Sequence, residues 1–301
     1  MSDKLNIGGQ AVLEGVMMRS PHAFTVAVRK GGKPDAEIAV FRQEIKPLGE
    51  RFPILKKKII RGSAALFEAM WLGIRALNFS ANEALEEGKD GKKEEIGPLA
   101  MAGTMALALA FSLGLFLALP LLLTSLLGAQ YSALKGNVLF NLTDGVLRMA
   151  LFLGYVSGIS FMKDIRRVFE YHGAEHKAIG AFEAGVPLTP ENARRYSRIH
   201  PRCGTSFLLA VIALSIVLFS LIPGSWPLWA KGLSRIILLP VIAGLGYEFI
   251  KYSATRCERP VIRVLMLPGL WLQRLTTREP SDDQIAVAIR ALEEAVAMEP
   301  R

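Results

Sequence analysis

The apolar positions of the chain fall into three patterns, each predicting a different kind of element. The first is the long run. Residues 97–127, 145–162, 205–223 and 228–250 are almost wholly apolar. At 1.5 Å per helical residue, ~20 such residues cross a hydrocarbon layer ~30 Å thick, so about four transmembrane helices are predicted. The first run is overlong and is expected to tilt, or to break near Pro120. Arg148 is read as lying at one end of the second run, where its side chain can snorkel, and Lys231 and Arg235 near the start of the fourth.

The second pattern is amphipathic. Over residues 53–87 a helix is predicted to open near Pro53. Arg61, Glu68, Arg75 and Asn82 recur at seven-residue spacing. They make a narrow polar stripe on a helix otherwise carrying Leu66, Phe67, Met70, Trp71, Leu72, Ile74 and Leu77. Those charges argue against a simple span and for a helix at the membrane interface or against the bundle. Residues 86–95 read as a charged, solvated linker. Residues 261–275 are apolar with Arg263 and Arg274, and read as a surface-lying segment. Ser281-Asp282-Asp283-Gln284 has capping-box spacing and opens an amphipathic helix through Ile285, Ile289, Leu292 and Val296.

The third pattern is short and β-prone. Residues 24–28 and 37–41 flank Lys30-Gly31-Gly32-Lys33-Pro34-Asp35, a turn signal, which predicts a hairpin. Upstream, the glycines of 8–15 permit tight turns and close backbone approach. Gln10, Glu14 and Arg19 stand there among apolar neighbours, as strand-edge residues or as part of a site.

These patterns give a fold class of α-helical membrane protein with a small N-terminal β-rich cytosolic region and interfacial or cytosolic amphipathic helices. The chain divides into the β-rich region (1–50), the interfacial helix and linker (51–96) and transmembrane helices one and two (97–163). A cytosolic helical hairpin (164–204), transmembrane helices three and four (205–250) and a cytosolic tail (251–301) follow.

Charge sets the orientation. The chain is 51% hydrophobic yet carries a net charge of +9, an unusual pairing for a soluble domain that membrane spans with flanking cations explain. Residues 1–96 hold 16 Lys and Arg, 163–204 hold 8, 251–301 hold 8, and everything else holds 4 of the 36. With an even number of spans, both termini and the central loop are expected in the cytoplasm of a bacterial cell, the protein being multi-pass in the inner membrane. No secretory leader is expected, since Asp3, Glu14 and Arg19 interrupt the first 20 residues. The lipid bilayer is thus the expected partner. Nucleic acid is not, because flanking cations account for the charge, and a homo-oligomer stays open. Two cysteines are too few for a disulfide framework.

The candidate chemistry lies in the central loop. A helix from Lys163 to Ala184, ended by Gly185-Val186-Pro187, places His172, Glu175 and His176 on one face. Thr189 as N-cap and Pro190 at the first position predict a short second helix to about 198, and His200-Pro201-Arg202-Cys203-Gly204 then turns into the third span. The two clusters should meet at the cytoplasmic membrane face. His172, His176, His200 and Cys203 offer imidazole and thiolate ligands for a divalent metal, zinc by ligand type. Either all four close a tetrahedral shell, or three bind, a fourth position holds water and Glu175 serves as general base. The competing reading needs no metal: the histidines cap carbonyls or pair with Glu170 and Glu175, and Cys203 is a small buried apolar group. His22 reads as a surface strand residue and Cys257 as a spare ligand. Lys177 and Arg202 read as membrane-flanking cations rather than an anion site.

The run Gly8 to Arg19, the stretch His172-Gly173-Ala174-Glu175-His176, the turn His200 to Phe207 and the late run Pro268 to Thr277 together resemble the bacterial YqhQ-like membrane protein family, over nearly the whole chain. The resemblance implies a multi-pass membrane architecture. The family's function is unknown, and it is often described as comprising predicted metal-dependent enzymes. Two functional readings follow: a membrane-embedded metal-dependent hydrolase with Glu175 catalytic, acting on a peptide bond or a lipid head group, or a non-catalytic scaffold whose metal or histidine cluster is structural. A channel or transporter is disfavoured, because the proposed spans carry few internal ionisable groups.

Overall fold

In a computed structural model of the protein, the described residues are 5–58, 60–85, 97–223, 226–256 and 259–300. The charged linker at 86–95 and Cys257 lie outside them. The N-terminal region is a four-stranded antiparallel sheet in the order β1-β2-β3-β4: Gly8–Val12, Gly15–Arg19, Ala23–Arg29 and Ile38–Glu44. The expected hairpin is β3–β4, with Val26 opposite Phe41 and Val28 opposite Ala39. The glycine-rich run, expected either as a strand with polar edge residues or as part of a site, forms two further strands. Their turn carries Glu14 at φ +52°, a left-handed conformation costly for a residue with a Cβ. Arg167 and Tyr171 Oη (3.3 Å) hold the Glu14 carboxylate and fix that turn.

Side chains alternate across the sheet with period two, so each face serves a different partner. A four-residue helix, α1 (Leu48–Arg51), leads to the long α2 (Ile60–Ala84). Val12, Met17, Phe24, Val26 and Val28 bury one face against Leu72 and Ala76 of α2. The polar stripe of α2 turns inward: Arg61 pairs with Glu248, Glu68 with Arg19, and Arg75 donates to Gln43. Phe67, Met70 and Trp71 are left exposed.

The apolar runs follow. Helix α3 (Pro98–Leu113) continues through a wider π-type turn at Gly114–Ala118 into α4 (Leu119–Gln130). The turn precedes Pro120, which lacks an N–H and whose ring would clash with the carbonyl four residues back. So the helix adjusts at Pro120 without breaking. Next come α5 (Asn137–Ile159), α6 (Lys163–Ala184), the short α7 (Pro190–Ala193), α8 (Thr205–Phe219), α9 (Leu228–Ala254), α10 (Pro260–Thr276) and α11 (Asp282–Ala297). Among the described residues, three helices are long and apolar enough to cross a membrane: Leu99–Gln130, Asn137–Ile159 and Leu228–Ser253. The apolar α8 has 15 residues, about 22 Å at 1.5 Å per residue.

One expectation is corrected. Helix α5 starts eight residues before the predicted run, so Arg148 lies inside it and does not snorkel. Arg148 is buried, donating to Asp144 Oδ2 (2.7 Å) and Ser215 Oγ (3.0 Å). A hydropathy window cuts the run at Asp144 because it scores that residue as exposed, whereas an ion pair one helical turn apart lets both charges stay inside.

The C-terminal α11 closes the other face of the sheet. The predicted capping box is present: the Ser281 side chain accepts from the N3 backbone and the Gln284 side chain from the N-cap. Ile285, Ala288 and Leu292 pack with Val16, Met18 and Ala27 of the sheet and with Tyr171, Ala174 and Ala178 of α6. Glu299 then ties the end of the chain to the sheet, accepting from the His22 N–H (2.7 Å) and pairing with His22 Nδ1 (3.1 Å). That hydrogen bond to Glu299 is the main cause raising the His22 pKa above 6.5. The pairing therefore contributes stability at pH below the ordinary histidine value, and this is lost as pH rises through the raised folded value. His22→Asn should flatten the fall in thermal midpoint between about pH 6 and 8. A fall as steep as in wild type would show that His22 is not its source.

Candidate metal centre

Helix α6 carries the site because small residues let other chain segments touch it. A Cβ on Gly173 would stand 2.1 Å from the Arg278 carbonyl oxygen, so only glycine lets the segment after α10 cross α6 there. The crossing is fixed by Arg278 N–H donating to Phe169 O (2.8 Å). It delivers the Thr276 carbonyl to His172 Nδ1 at 2.8 Å. One turn on, His176 Nδ1 lies 2.6 Å from the Arg198 carbonyl. A carbonyl can only accept, so in both rings Nδ1 carries the proton and Nε2 keeps its lone pair. This is the arrangement found behind metal-binding histidines.

The third donor comes from the turn into α8. Cys203 Sγ lies 3.2 Å from His172 Nε2 and 3.2 Å from Thr205 Oγ1, with the Thr205 N–H at 3.5 Å. Ligand atoms of His172, His176 and Cys203 all lie within 4.8 Å of one another, and this cluster could hold a metal ion. Zinc bonds of ~2.0–2.3 Å imply ligand–ligand edges of about 3.5 Å, so the donor set fits a tetrahedral ion after a small contraction. The chemistry of the set, two imidazoles and one thiol, suits zinc or a similar borderline ion.

His200 stands apart from this trio. Its ring centroid is 5.8 Å from that of His176, its Nε2 lies 3.4 Å from Glu183 Oε2, and its Nδ1 accepts from the Arg202 N–H at 3.3 Å. Glu175 is 5% exposed and takes a hydrogen bond from the Gly9 backbone. A Cβ on Gly9 would lie 2.9 Å from Glu175 Cγ, so β1 lies directly over this carboxylate. Burial pushes the Glu175 pKa up to about 7, His172 opposing and Cys203 adding to the rise. Burial pushes His176 down to about 3, lowers His200 and raises the Cys203 thiol. Lys177, buried, donates to the carbonyls of Arg194 (2.9 Å) and Tyr196 (3.0 Å), so it braces the 194–198 segment.

A family profile described as a protein of unknown function (DUF1385) matches residues 58–298. The chain belongs to the DUF1385 family. It is 35% identical to the uncharacterized protein YqhQ of Bacillus subtilis (strain 168), over 97% of this chain and 92% of that protein. No solved structure matches the chain.

In this DUF1385 member the late run 268–277 acquires a role that the sequence did not disclose. Gln273, wholly buried, accepts from the His200 N–H (2.8 Å) and donates to the His200 carbonyl (2.9 Å) and to Ser206 Oγ (3.2 Å). It holds the 200–206 turn against α10 and so places Cys203. A Cβ on Gly269 would lie 2.6 Å from Ser206 Oγ, so Gly269 sets the approach of α10 to α8. The available signal was Gln273 itself, an uncharged polar residue in an apolar helix, which calls for a buried partner.

Proposed function

We propose that the chain is an integral protein of the bacterial inner membrane with a metal centre at its cytoplasmic face, acting as a metal-dependent hydrolase. His172, His176 and Cys203 would hold the ion, zinc by donor type. Four crossings, α8 included, would put both termini and the centre in the cytoplasm, in line with the cation distribution. One observation carries the reading. Two histidines whose Nδ1 atoms are held by carbonyls cluster with a thiol more than 25 residues away in sequence, His172 Nε2 lying 3.2 Å from it, beside a buried carboxylate. Three protein ligands leave a tetrahedral ion one exchangeable position, as in catalytic sites. When bound, the ion supplies Lewis acidity toward a carbonyl or phosphoryl oxygen. Glu175, close to neutrality in its pKa, is suited to take a proton from water and return it to a leaving group. Gly9 orients that carboxylate, and the Thr276 and Arg198 carbonyls orient the imidazoles.

The structural alternative also has support. The cluster joins α6, the 198–203 turn, the end of α10 and, through Glu175, β1. Cobalt(II) substitution separates the two. The absorption spectrum should show four-coordinate cobalt with a thiolate band, and added azide should shift it. Glu175→Gln should keep the metal. A spectrum that azide leaves unchanged would mean a closed, structural shell, and metal-free wild type would remove the metal centre altogether.

A further inference from the structure

A second polar assembly lies on α5, α8 and α9, away from the metal cluster on α6 and the turn into α8. Asp144 on α5 bridges two arginines: Oδ2 accepts from Arg148 of the same helix and Oδ1 from Arg235 of α9, each at 2.7 Å. Arg148 also donates to Ser215 Oγ (3.0 Å) on α8, and Arg235 to Asn141 Oδ1 (3.1 Å). Both guanidiniums lie against the Phe219 ring, at 5.0 and 4.9 Å. Lys231, one turn before Arg235, sits 4.4 Å over the Phe140 ring. Arg235 is 1% exposed. Ser215 lies ten residues into α8 from the Cys203 turn, about 15 Å along the helix axis.

The charges of this assembly do not cancel. Arg148 and Arg235 share one carboxylate, and Lys231 adds a third cation one helical turn from Arg235. Nor can more distant acids of these segments help: residues 97–162 and 205–247 contain a single acid, Asp144, against Lys135, Arg148, Lys231 and Arg235. A single Asp–Arg pair would suffice to pin α5 to α9 and would be neutral. The second arginine adds a buried charge, which is costly in a low-dielectric bundle unless an anion accompanies it. The donors are also in surplus. A guanidinium has five N–H groups. Each arginine engages two partners, and the Nε of both is buried with no hydrogen-bond partner.

We propose that the Arg148–Arg235–Lys231 assembly is a binding site for a phosphate group, carried by an anionic phospholipid. Planar guanidinium forks match phosphate oxygens, and Lys231, half-buried and nearest the helix end, adds a third positive charge. Asp144 holds the two arginines in register, and the aromatic faces of Phe219 and Phe140 shield the cations. The site is independent of the metal centre.

Full-length protein, delipidated in a neutral detergent, provides the test. Phosphatidylglycerol, phosphatidylcholine and inorganic phosphate are added separately, reading bound lipid by native mass spectrometry and the thermal midpoint. Phosphatidylglycerol should bind and raise the midpoint, and phosphatidylcholine should not. Lys231→Gln and Arg235→Gln should each weaken phosphatidylglycerol binding by about tenfold or more, the loss of one charged contact. Lys163→Gln, at the other end of the bundle, should leave it unchanged. If Arg235→Gln does not fold, Lys231→Gln decides, because its side chain is not packed into the ion network. An equal midpoint shift from inorganic phosphate would support the phosphate site and assign it to a free anion. Equal binding of both lipids, or full phosphatidylglycerol affinity in Lys231→Gln, would overturn the proposal.

Discussion

His172→Ala should purify without stoichiometric metal, whereas His200→Ala should retain it. This pair of outcomes follows from where the two rings stand. His172 offers Nε2 to Cys203 Sγ at 3.2 Å with its Nδ1 held by the Thr276 carbonyl. His200 has Nδ1 on the Arg202 N–H and Nε2 toward Glu183, outside the cluster. Removing one of three ligands leaves two donors, too few to retain a zinc-like ion through purification. The effect reaches stability as well. An ion present at a thousandfold its Kd contributes about 4 kcal/mol to the folded state, so wild type should lose thermal midpoint in a chelator and His172→Ala should not respond. Elemental analysis of the two variants beside wild type, with and without chelator, reads both effects. Metal lost in His200→Ala and kept in His172→Ala would invert the ligand set.

The contrast between these histidines also shows what the sequence could reveal. His172, Glu175 and His176 share a helix face by spacing alone, and spacing is local. Thr189 caps α7, its side chain accepting from Asn192 N, and Ser281 with Gln284 caps α11 for the same reason. Which of His200 and Cys203 reaches the trio is decided by the 200–206 turn pinned by Gln273, 73 positions after His200, and no periodicity encodes such a contact. The buried Asp144–Arg148–Arg235 network escaped for a related reason. Its arginines read as polar ends of apolar runs, and their sharing of the one Asp144 carboxylate depends on α5 packing near α9. The sheet was half legible. The β3–β4 hairpin carries a turn signal, whereas β1 and β2 are glycine-rich for the sake of what lies over them: Gly9 under Glu175, and Gly15 with its Cβ position 2.2 Å from the Ala27 carbonyl oxygen.

Gly173→Ala should be the most damaging single-methyl addition on α6. The new Cβ would fall 2.1 Å from Arg278 O and 3.3 Å from Pro280 Cδ. The nearest obstacle is backbone, so no rotamer change relieves it. The 276–280 segment must lift off α6, weakening the Arg278–Phe169 hydrogen bond and withdrawing the Thr276 carbonyl from His172. Overpacking of this kind costs about 1–3 kcal/mol. Losing the carbonyl that sets a ligand's tautomer lowers metal affinity by about 10–100-fold. Two other glycines calibrate the result. Gly180→Ala meets only Tyr196, its Cβ at 3.1 Å, a contact that a shift of a few tenths of an ångström relieves. Gly158→Ala on α5 meets nothing within 4 Å. Thermal unfolding and a competitive metal titration on the three variants should therefore rank Gly173→Ala far below Gly180→Ala, with Gly158→Ala close to wild type. If Gly173→Ala keeps its stability but loses metal, the segment orients the site without bracing the fold. If it loses stability but keeps wild-type metal affinity, the Thr276 carbonyl is not what prepares His172, and the ordering of the imidazole must come from α6 alone.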